Sequence, residues 1–497
     1  MRVSVAVVAL SLLVLACSSS SGAVDDGGSL AQLRHLSAEQ QNFGVILDAT
    51  SGRTLAAFRV DNPIRAAIPD GSGGWYIGGG FVHVNGVLRK RLAHIDASGR
   101  LDAHWRPEAN GNGVSVTALA RLGSRLYVAG DFARLQHRPR FHFGALDVAT
   151  GRLVPRWRPQ PRQPFDGQVL LTAADQVVAG GGSCCSEAGS SVYGLDARSG
   201  AIDATWKPHI GPTTLTGSGV YLLASDGRGV VIRGLFGRPH GRVAVGEIDP
   251  SRRRLARKWR PAASKQCLWC ELMAAAVGKD RVFGTVNGSA SYALVSFSRR
   301  TGELDRGWRA HLSSVTGFYG AVSATAVAVA DGRVYVTGDF DRVAGVRRNG
   351  FAALDQTSPR VLPSWRPTTG TVYGSLLAPS RNRLLLGISL SREIRFDFAG
   401  LKTFVPIHRL SVTLALSGAG TVRVGLGRHC NYERWTETAR CNGPVFHWLD
   451  RVSFPRAERR RYDRALPVPP GHYFVRFVPR ANGGQPQAPY DFPVTVR

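Results

Sequence analysis

Three close pairs of cysteines are the residues best suited to chemistry in this sequence: Cys184 with Cys185, Cys267 with Cys270, and Cys430 with Cys441. Such pairs form disulfides, bind zinc through their thiolates, or act as redox pairs. The spacing of Cys267 and Cys270 fits half a zinc site and also the redox motif, but that motif normally opens a helix, and here the sequence predicts a loop. Cys17 aside, six cysteines remain, and an even number in an exported chain favours oxidation, so we expect a disulfide within each loop. A disulfide joining different loops, and metal or redox chemistry, are the alternatives.

The N-terminus predicts export, which sets this oxidising environment. Arg2 precedes an apolar segment over residues 3–15, and Leu15-Ala16-Cys17 then resembles a bacterial lipobox. We therefore expect residues 1–17 to be a signal peptide, Cys17 to be lipidated and residues 18–40 to form a polar tether. Cleavage as an ordinary signal peptide is the alternative. The predicted location is extracytoplasmic, either membrane-anchored through the lipid alone or secreted.

A repeat of about 50 residues organises residues 41–406. Each copy ends in a tryptophan followed by a basic residue, as at Trp105-Arg106, Trp157-Arg158, Trp206-Lys207, Trp259-Arg260, Trp308-Arg309 and Trp365-Arg366. Between these ends the sequence predicts four short strands, A to D, because pairs such as Asp331-Gly332 mark tight hairpin turns. A strand-only repeat of this length is typical of a β-propeller blade.

Two hairpins make up each predicted blade. The second strand of the A–B hairpin is predicted at residues 75–77, 126–129, 176–179, 230–232, 281–283, 334–337 and 383–386. The C–D hairpin turns on a repeated aspartate that occupies the same position in six copies: Asp48, Asp96, Asp147, Asp196, Asp249 and Asp355. We expect these aspartates to stabilise turns and the repeated tryptophans to pack between blades.

The order of the hairpins predicts how the ring closes. A C–D hairpin at residues 43–58 stands before the first A–B hairpin, so we expect it to pair with the strand around residues 383–389 and complete the last blade. This arrangement gives an all-β, seven-bladed propeller. Residues 396–401 also resemble a worn C–D hairpin, so eight blades is the alternative.

One copy carries a specific resemblance. Residues 81–105, with Asn85-Gly86, Leu92-Ala93, Asp96 and Trp105, resemble the delta-60 β-propeller repeat of bacterial proteins, and residues 130–157 and 338–365 are similar. The resemblance covers about residues 42–405, although copies such as residues 262–308 are eroded. It implies a propeller and no particular activity.

Residues 407–497 predict a separate β-sandwich-like domain, because segments such as 410–416 and 472–478 alternate between apolar and polar residues.

The chain carries a net charge of +28, and almost all of its basic residues are arginines. Because the arginines are spread through every segment, we interpret the excess as codon usage rather than as a nucleic-acid site. The densest run, Arg456, Arg459, Arg460, Arg461 and Arg464, is interrupted by Glu458 and Asp463 and is typical of a solvated face.

Loops that break the repeat are the best candidates for a recognition surface. In a four-stranded blade, the B–C and D–A loops lie on one face of the ring, and the two cysteine-containing loops around residues 184 and 267 belong to these classes. The candidate binding residues are Glu187, Trp269, Glu271, Glu108 and Asp166.

The sequence therefore predicts a monomeric, non-catalytic binding or scaffold protein that contacts an envelope protein or glycan through one propeller face, without cofactor, metal or nucleic acid. The alternative is a secreted propeller enzyme, either glycan-active or quinoprotein-like. Ala145, Asp147 and Gly151, with the adjacent cysteines, resemble features of quinoprotein alcohol dehydrogenases. However, Trp157 follows two residues later than their docking motif requires, and neither their calcium site nor their catalytic aspartate can be placed.

Replacing Cys17 tests the predicted anchor. In the Cys17→Ser variant we expect the protein to move from the membrane fraction to the soluble fraction or the medium, because the predicted tether offers no other anchor. Cell fractionation followed by immunoblotting measures this, with Ser19→Ala as the control. Equal fractionation of both forms would exclude lipid anchoring.

Overall fold

The computed structural model describes most of the chain after residue 40. The described residues are 41–111, 114–159, 169–173, 175–181, 191–203, 205, 221–225, 227–236, 242–256, 259, 271–288, 291–313, 322–348, 350–367, 373–390, 396–399, 407–416, 419–428, 447–456, 458–483, 486 and 490–496. All regular elements in these ranges are β-strands.

The strands are short, as the dense turn signals predicted. The first thirteen are β1 (Gln41–Asp48), β2 (Thr54–Val60), β3 (Ile64–Pro69), β4 (Trp75–Gly79), β5 (His83–Val84), β6 (Val87–Leu88), β7 (Leu92–Ile95), β8 (Ala109–Asn110), β9 (Ser115–Leu122), β10 (Arg125–Asp131), β11 (Arg134–Leu135), β12 (Arg138–Pro139) and β13 (Phe143–Asp147). The next eleven are β14 (Val169–Ala173), β15 (Gln176–Gly181), β16 (Ser191–Asp196), β17 (Tyr221–Ser225), β18 (Val230–Phe236), β19 (Arg242–Asp249), β20 (Arg254–Leu255), β21 (Glu271–Val277), β22 (Arg281–Gly288), β23 (Ser291–Ser298) and β24 (Leu304–Ser313).

The remaining strands complete the repeat region and form the C-terminal region. They are β25 (Ser323–Ala330), β26 (Arg333–Asp339), β27 (Arg342–Val343), β28 (Val346–Arg347), β29 (Phe351–Asp355), β30 (Tyr373–Ser380), β31 (Arg383–Leu390), β32 (Phe396–Ala399), β33 (Arg409–Leu416), β34 (Gly420–Arg428), β35 (His447–Phe454), β36 (Glu458–Ala465), β37 (Gly471–Ala481) and β38 (Tyr490–Val496). The seven predicted B strands lie within β4, β10, β15, β18, β22, β26 and β31, so those predictions are confirmed.

The repeat region folds as a β-propeller. Within the described residues, six A–B hairpins each form an antiparallel sheet with a later strand of the same blade, and the seventh, β30-β31, pairs with β1. The first strands of neighbouring sheets contact one another in a closed circuit: β3, β9, β14, β17, β21, β25, β30 and back to β3. A ring of this kind places the first strand of every sheet at the centre.

The predicted closure of the ring is confirmed. β1 pairs with β31 over its whole length, from Gln41 opposite Leu390 to Asp48 opposite Arg383, and β2 pairs with the other edge of β1. The sheet that contains the last A–B hairpin is therefore completed by the first strands of the repeat region. No edge of β31 remains open.

The repeated tryptophans that the structure describes pack between sheets, as predicted, while Trp206 lies outside the described residues. Trp157 is fully buried, its ring lies 5.0 Å from that of Tyr127, and its indole N–H donates a hydrogen bond of 3.1 Å to the Asp196 carbonyl of the next sheet. Trp308 donates to the Asp355 carbonyl in the same way. These side chains therefore join neighbouring blades.

The repeated aspartates hold the C–D turns, which confirms their predicted role. The Asp147 carboxylate accepts hydrogen bonds from the Thr150 backbone N–H at 2.9 Å and from its hydroxyl at 2.8 Å. Gly151 follows with φ of 65°, a conformation that costs glycine little. The same carboxylate-to-backbone bonds recur at Asp48, Asp96, Asp196, Asp249 and Asp355.

Three short B–C hairpins occur in the described part of the propeller, and each links its own blade to the one before it, a feature the sequence did not predict. β5 of one hairpin pairs with β2, β27 of another with β24, and β11 of the third with β8. Each hairpin is fixed by a fully buried residue of its first strand: Val84, Leu135 or Val343. A buried arginine then follows each hairpin, Arg89, Arg140 or Arg348, and donates hydrogen bonds to two backbone carbonyls.

The C-terminal region contains two antiparallel sheets, β32-β33-β36 and β35-β34-β37-β38, around one apolar core. Val412 and Leu414 of one sheet and Val422 and Val424 of the other belong to this core. β32, which contains part of the worn hairpin, pairs with β33 rather than with a propeller strand.

Deleting residues 40–58 tests the closing pair. We expect loss of cooperative folding or aggregation, because β31 then exposes the edge that β1 covers. Thermal unfolding and size-exclusion chromatography measure this, with an equally long deletion of residues 21–39 as the control. An unchanged melting temperature for the 40–58 deletion would contradict this role of β1.

Candidate functional site

Most residues of the predicted recognition face lie outside the described residues. They are Asp166, Cys184, Cys185, Glu187, Cys267, Trp269 and Cys270. Cys17, Cys430 and Cys441 also lie outside the described residues. Glu271 is the first residue of β21, and only its backbone is described. The predicted disulfides, the lipidation and this part of the binding face stay predictions.

Glu108 is the one member of that face whose side chain is described. One carboxylate oxygen lies 2.8 Å from the Lys90 ammonium and the other contacts His137, on the turn between β11 and β12. Burial raises the pKa of Glu108, but the hydrogen bond and charge of Lys90 outweigh it and leave the pKa below its ordinary value. Glu108 therefore acts as an ion-pair link between a D–A connection and a B–C hairpin.

Exposed apolar side chains cluster on the B–C hairpins. Val87 and Leu88 of β6 are 47% and 54% exposed, and Val346 of β28 is 41% exposed. Phe141, directly after β12 and Arg140, is 69% exposed. Together with Leu55 of β2, these are the large exposed hydrophobic residues of the propeller among the residues the structure describes. The hairpins thus present apolar surface on the face that also carries Glu108.

A histidine between two aspartates forms a second cluster, on the opposite face. His94 Nε2 lies 3.1 Å from the Asp70 carboxylate and Nδ1 lies 2.9 Å from the Asp102 carboxylate. The Tyr76 ring stacks on the imidazole with centroids 4.6 Å apart. Asp70 also accepts hydrogen bonds from the backbone N–H groups of residues 72, 73 and 74. Burial raises the pKa of Asp70, but hydrogen bonds from Ser72, His94 and Gly74 hold it at about 2.

This cluster is a structural clamp. Both imidazole nitrogens lie within hydrogen-bond distance of a carboxylate, so neither is open to a substrate. Aspartates at the position of Asp102 recur in two other blades, where Asp203 pairs with Arg253 and Asp305 pairs with Arg281. His94 was not among the predicted site residues, although Ala145 and Ala353 at the equivalent place in other copies mark it as a break in the repeat.

The third candidate is a cationic pocket on the outer face of the C-terminal sheet β35-β34-β37-β38. A cavity of about 300 Å³ is lined by Arg423, Arg451, Arg476, Arg480 and Trp448, together with Thr421, Val478 and Pro486. The Arg423 guanidinium carbon lies 3.8 Å from the centroid of the Trp448 ring. The residues that line the cavity include four cations and no carboxylate. This arrangement is suited to an anionic ligand.

The arginine run on β36 behaves as expected for a solvated face. Arg459, Arg460, Arg461 and Arg464 are exposed. Arg460 pairs with Glu458 at 2.8 Å, and Arg464 lies 3.5 Å from Asp450. The charge of this strand is thus partly balanced by carboxylates.

A family model described as a domain of unknown function (DUF5122) beta-propeller matches residues 70–104 and 330–355. The matched segments fall in two blades, so the family match agrees with the fold. No curated protein matches the chain. Within the described residues, no helix is long and apolar enough to span a bilayer, and no group of three or more His, Cys, Asp or Glu residues is arranged to hold a metal ion.

Several solved structures resemble the chain at low similarity. They include a prolyl endopeptidase (TM-score 0.41, 14% identity, covering 78% of this chain and 55% of that one). They also include the Dos1 propeller (0.38, 10%, 67% and 93%) and a quinohemoprotein alcohol dehydrogenase from Comamonas testosteroni (0.39, 12%, 88% and 72%). This chain spans about half the length of the endopeptidase. At these scores the resemblances carry no argument about chemistry.

Acid titration tests the clamp at Asp70. Its pKa is lowered from 3.8 to about 2, so its ionised form stabilises the fold above about pH 4 and this stabilisation disappears as the pH falls towards 2. We therefore expect Asp70→Asn to lower the free energy of unfolding at pH 6 and to lose most of this effect near pH 2. Urea unfolding across this pH range measures it, with Asp175→Asn, at the exposed A–B turn of another blade, as the control. A difference that stays constant from pH 6 to pH 2 would contradict the clamp.

Proposed function

We propose that this protein is a non-catalytic binding or scaffold protein of the cell envelope, exported and anchored through Cys17. In this proposal, a seven-bladed propeller presents its B–C and D–A face to an envelope protein or glycan. The seven sheets whose first strands form a closed circuit in the described part of the chain support the blade number.

The observation that carries the binding role is the recurrence of exposed apolar residues on equivalent hairpins. Single exposed hydrophobic residues are ordinary on protein surfaces. Here, however, Val87, Leu88 and Val346 occupy the same strand of hairpins that belong to different blades. The hairpins hold them rigidly, because Val84 and Val343 are fully buried beneath them. A rigid apolar surface loses little conformational entropy on binding, which favours a partner that can cover it.

The recurring polar residues of the propeller support a role without catalysis. The turn aspartates bind the backbone of their own turns, and the buried arginines bind backbone carbonyls. His94, which breaks the repeat, is held by two carboxylates. These titratable groups therefore serve the fold.

Site-specific photocrosslinking in the native envelope tests the proposed face. We expect a photoreactive residue at position 346 to form a discrete adduct, because Val346 lies on an exposed hairpin of the proposed face. The same residue at position 331 should form none, since Asp331 lies on the A–B turn of the same blade and thus on the other face. A photoreactive residue in place of the exposed Phe141 should form an adduct as well. Replacing Val87, Leu88 and Val346 together by serine should abolish that adduct and leave the melting temperature nearly unchanged.

Two results would overturn the proposal. Equal adducts from positions 346 and 331 would show that the hairpin face has no special role. A quinone found by mass spectrometry of the purified protein, with substrate-dependent reduction of an electron acceptor, would instead favour the secreted oxidoreductase.

A further inference from the structure

We infer that the outer face of the C-terminal sheet binds a polyvalent oxyanion, a molecule with two or more phosphate or sulfate groups. We call this surface the arginine face and define it by Arg423, Arg451, Arg476, Arg480 and Trp448. The inference is independent of the proposed propeller face, because it rests on a different set of residues.

The strand register places like charges together on this face. Arg423 of β34 stands directly opposite Arg451 of β35. Like charges directly opposite each other on neighbouring strands destabilise a sheet. The pair therefore costs the free protein stability, and an anion bound between the two guanidinium groups would remove that cost.

Strand β37 adds two more cations, one of them opposite Gly425, a position of the sheet that carries no side chain. Arg476 and Arg480 of β37 are four residues apart and so point to the same side of the sheet. Gly425 stands opposite both Trp448 and Arg476 in the register, so no side chain rises between them. The result is the cavity of about 300 Å³, at the lower end of the range for small-ligand pockets.

Trp448 orients one of the arginines. Its ring stacks against the Arg423 guanidinium at 3.8 Å and is itself 40% exposed. A guanidinium stacked in this way keeps its N–H donors in its own plane, where they match two oxygens of a phosphate or sulfate group. An arginine on a flexible side chain that only paired with a carboxylate would not need to be held by such a stacking contact.

Among the described strand positions around the arginine face, arginines outnumber acidic residues. Asp491 of β38 stands opposite Arg476 in the register. Asp450 precedes Arg451 but lies 3.5 Å from Arg464, which belongs to the other sheet. The cations of the face extend over three strands, a width of about 10 Å at the usual strand spacing. A ligand that contacts all of them therefore needs more than one anionic group.

Binding of two probes to the full chain tests the inference. Isothermal titration calorimetry with inorganic tripolyphosphate and with a disulfated disaccharide should detect saturable binding that weakens as salt increases. Tighter binding of the first probe would identify a phosphate ligand, and tighter binding of the second a sulfated sugar; either result supports the site.

A matched pair of double variants separates the site from the general positive charge. We expect Arg423→Gln with Arg451→Gln to weaken binding at least about tenfold, because two guanidinium contacts are lost. The control, Arg459→Gln with Arg461→Gln on β36, removes the same charge and should change binding less than about twofold.

The melting temperature of each variant shows whether weaker binding results from loss of folding. The Arg423–Arg451 double variant should melt at the same temperature as the parent or higher, because it removes a like-charge pair. The single variant Arg480→Gln should also weaken binding. Equal affinities of the two double variants, or no binding of either probe by the parent chain, would overturn the inference.

Discussion

The pairing of β1 with β31 is the contact on which the propeller depends. It joins opposite ends of the repeat region, so its formation carries the loop-closure entropy of the whole ring. In return it covers the one strand edge that the last A–B hairpin would leave open, and it buries Phe43, Val45 and Leu47 completely. The other A–B hairpins pair only with strands that lie close to them in the chain, and β3 alone among their first strands also contacts β30 across the junction. The closed ring fixes the position of each hairpin, including those proposed to meet a partner.

Within the ring, the repeated side chains divide two tasks between them. Tryptophans such as Trp157 join neighbouring sheets through buried rings and an indole hydrogen bond. Aspartates such as Asp147 stabilise single turns, where their carboxylates replace missing backbone partners. The buried arginines bind carbonyls near the end of their own blade through their terminal guanidinium nitrogens, and these bonds offset part of the cost of burying the charge. The repeated polar residues therefore lie where backbone N–H or C=O groups need a hydrogen-bond partner.

The elements set by local patterns were predicted from the sequence, and those set by packing were not. Turn pairs such as Asp331-Gly332 and period-two alternation located the B strands, and the order of the hairpins predicted the closing pair. The B–C hairpins were missed because β5, β11 and β27 contain two residues each, too few for a periodic signal. The His94 clamp joins residues from three segments, and only the folded register brings them together. The cationic pocket was missed for the same reason, because Arg423 and Arg451 are distant in sequence and opposite only in the sheet.

The B–C hairpins show how this fold separates stability from recognition. Their anchors repeat in chemical type, since Val84, Leu135 and Val343 are all fully buried aliphatic residues and each hairpin is followed by a buried arginine. Their outer strands differ, with Val87–Leu88, Arg138–Pro139 and Val346–Arg347 at equivalent exposed places. Substitutions in these outer strands remove little buried surface, so they cost the fold little free energy. The ring can therefore change the chemistry of one face, hairpin by hairpin, while the anchors and the closing pair keep every blade in place.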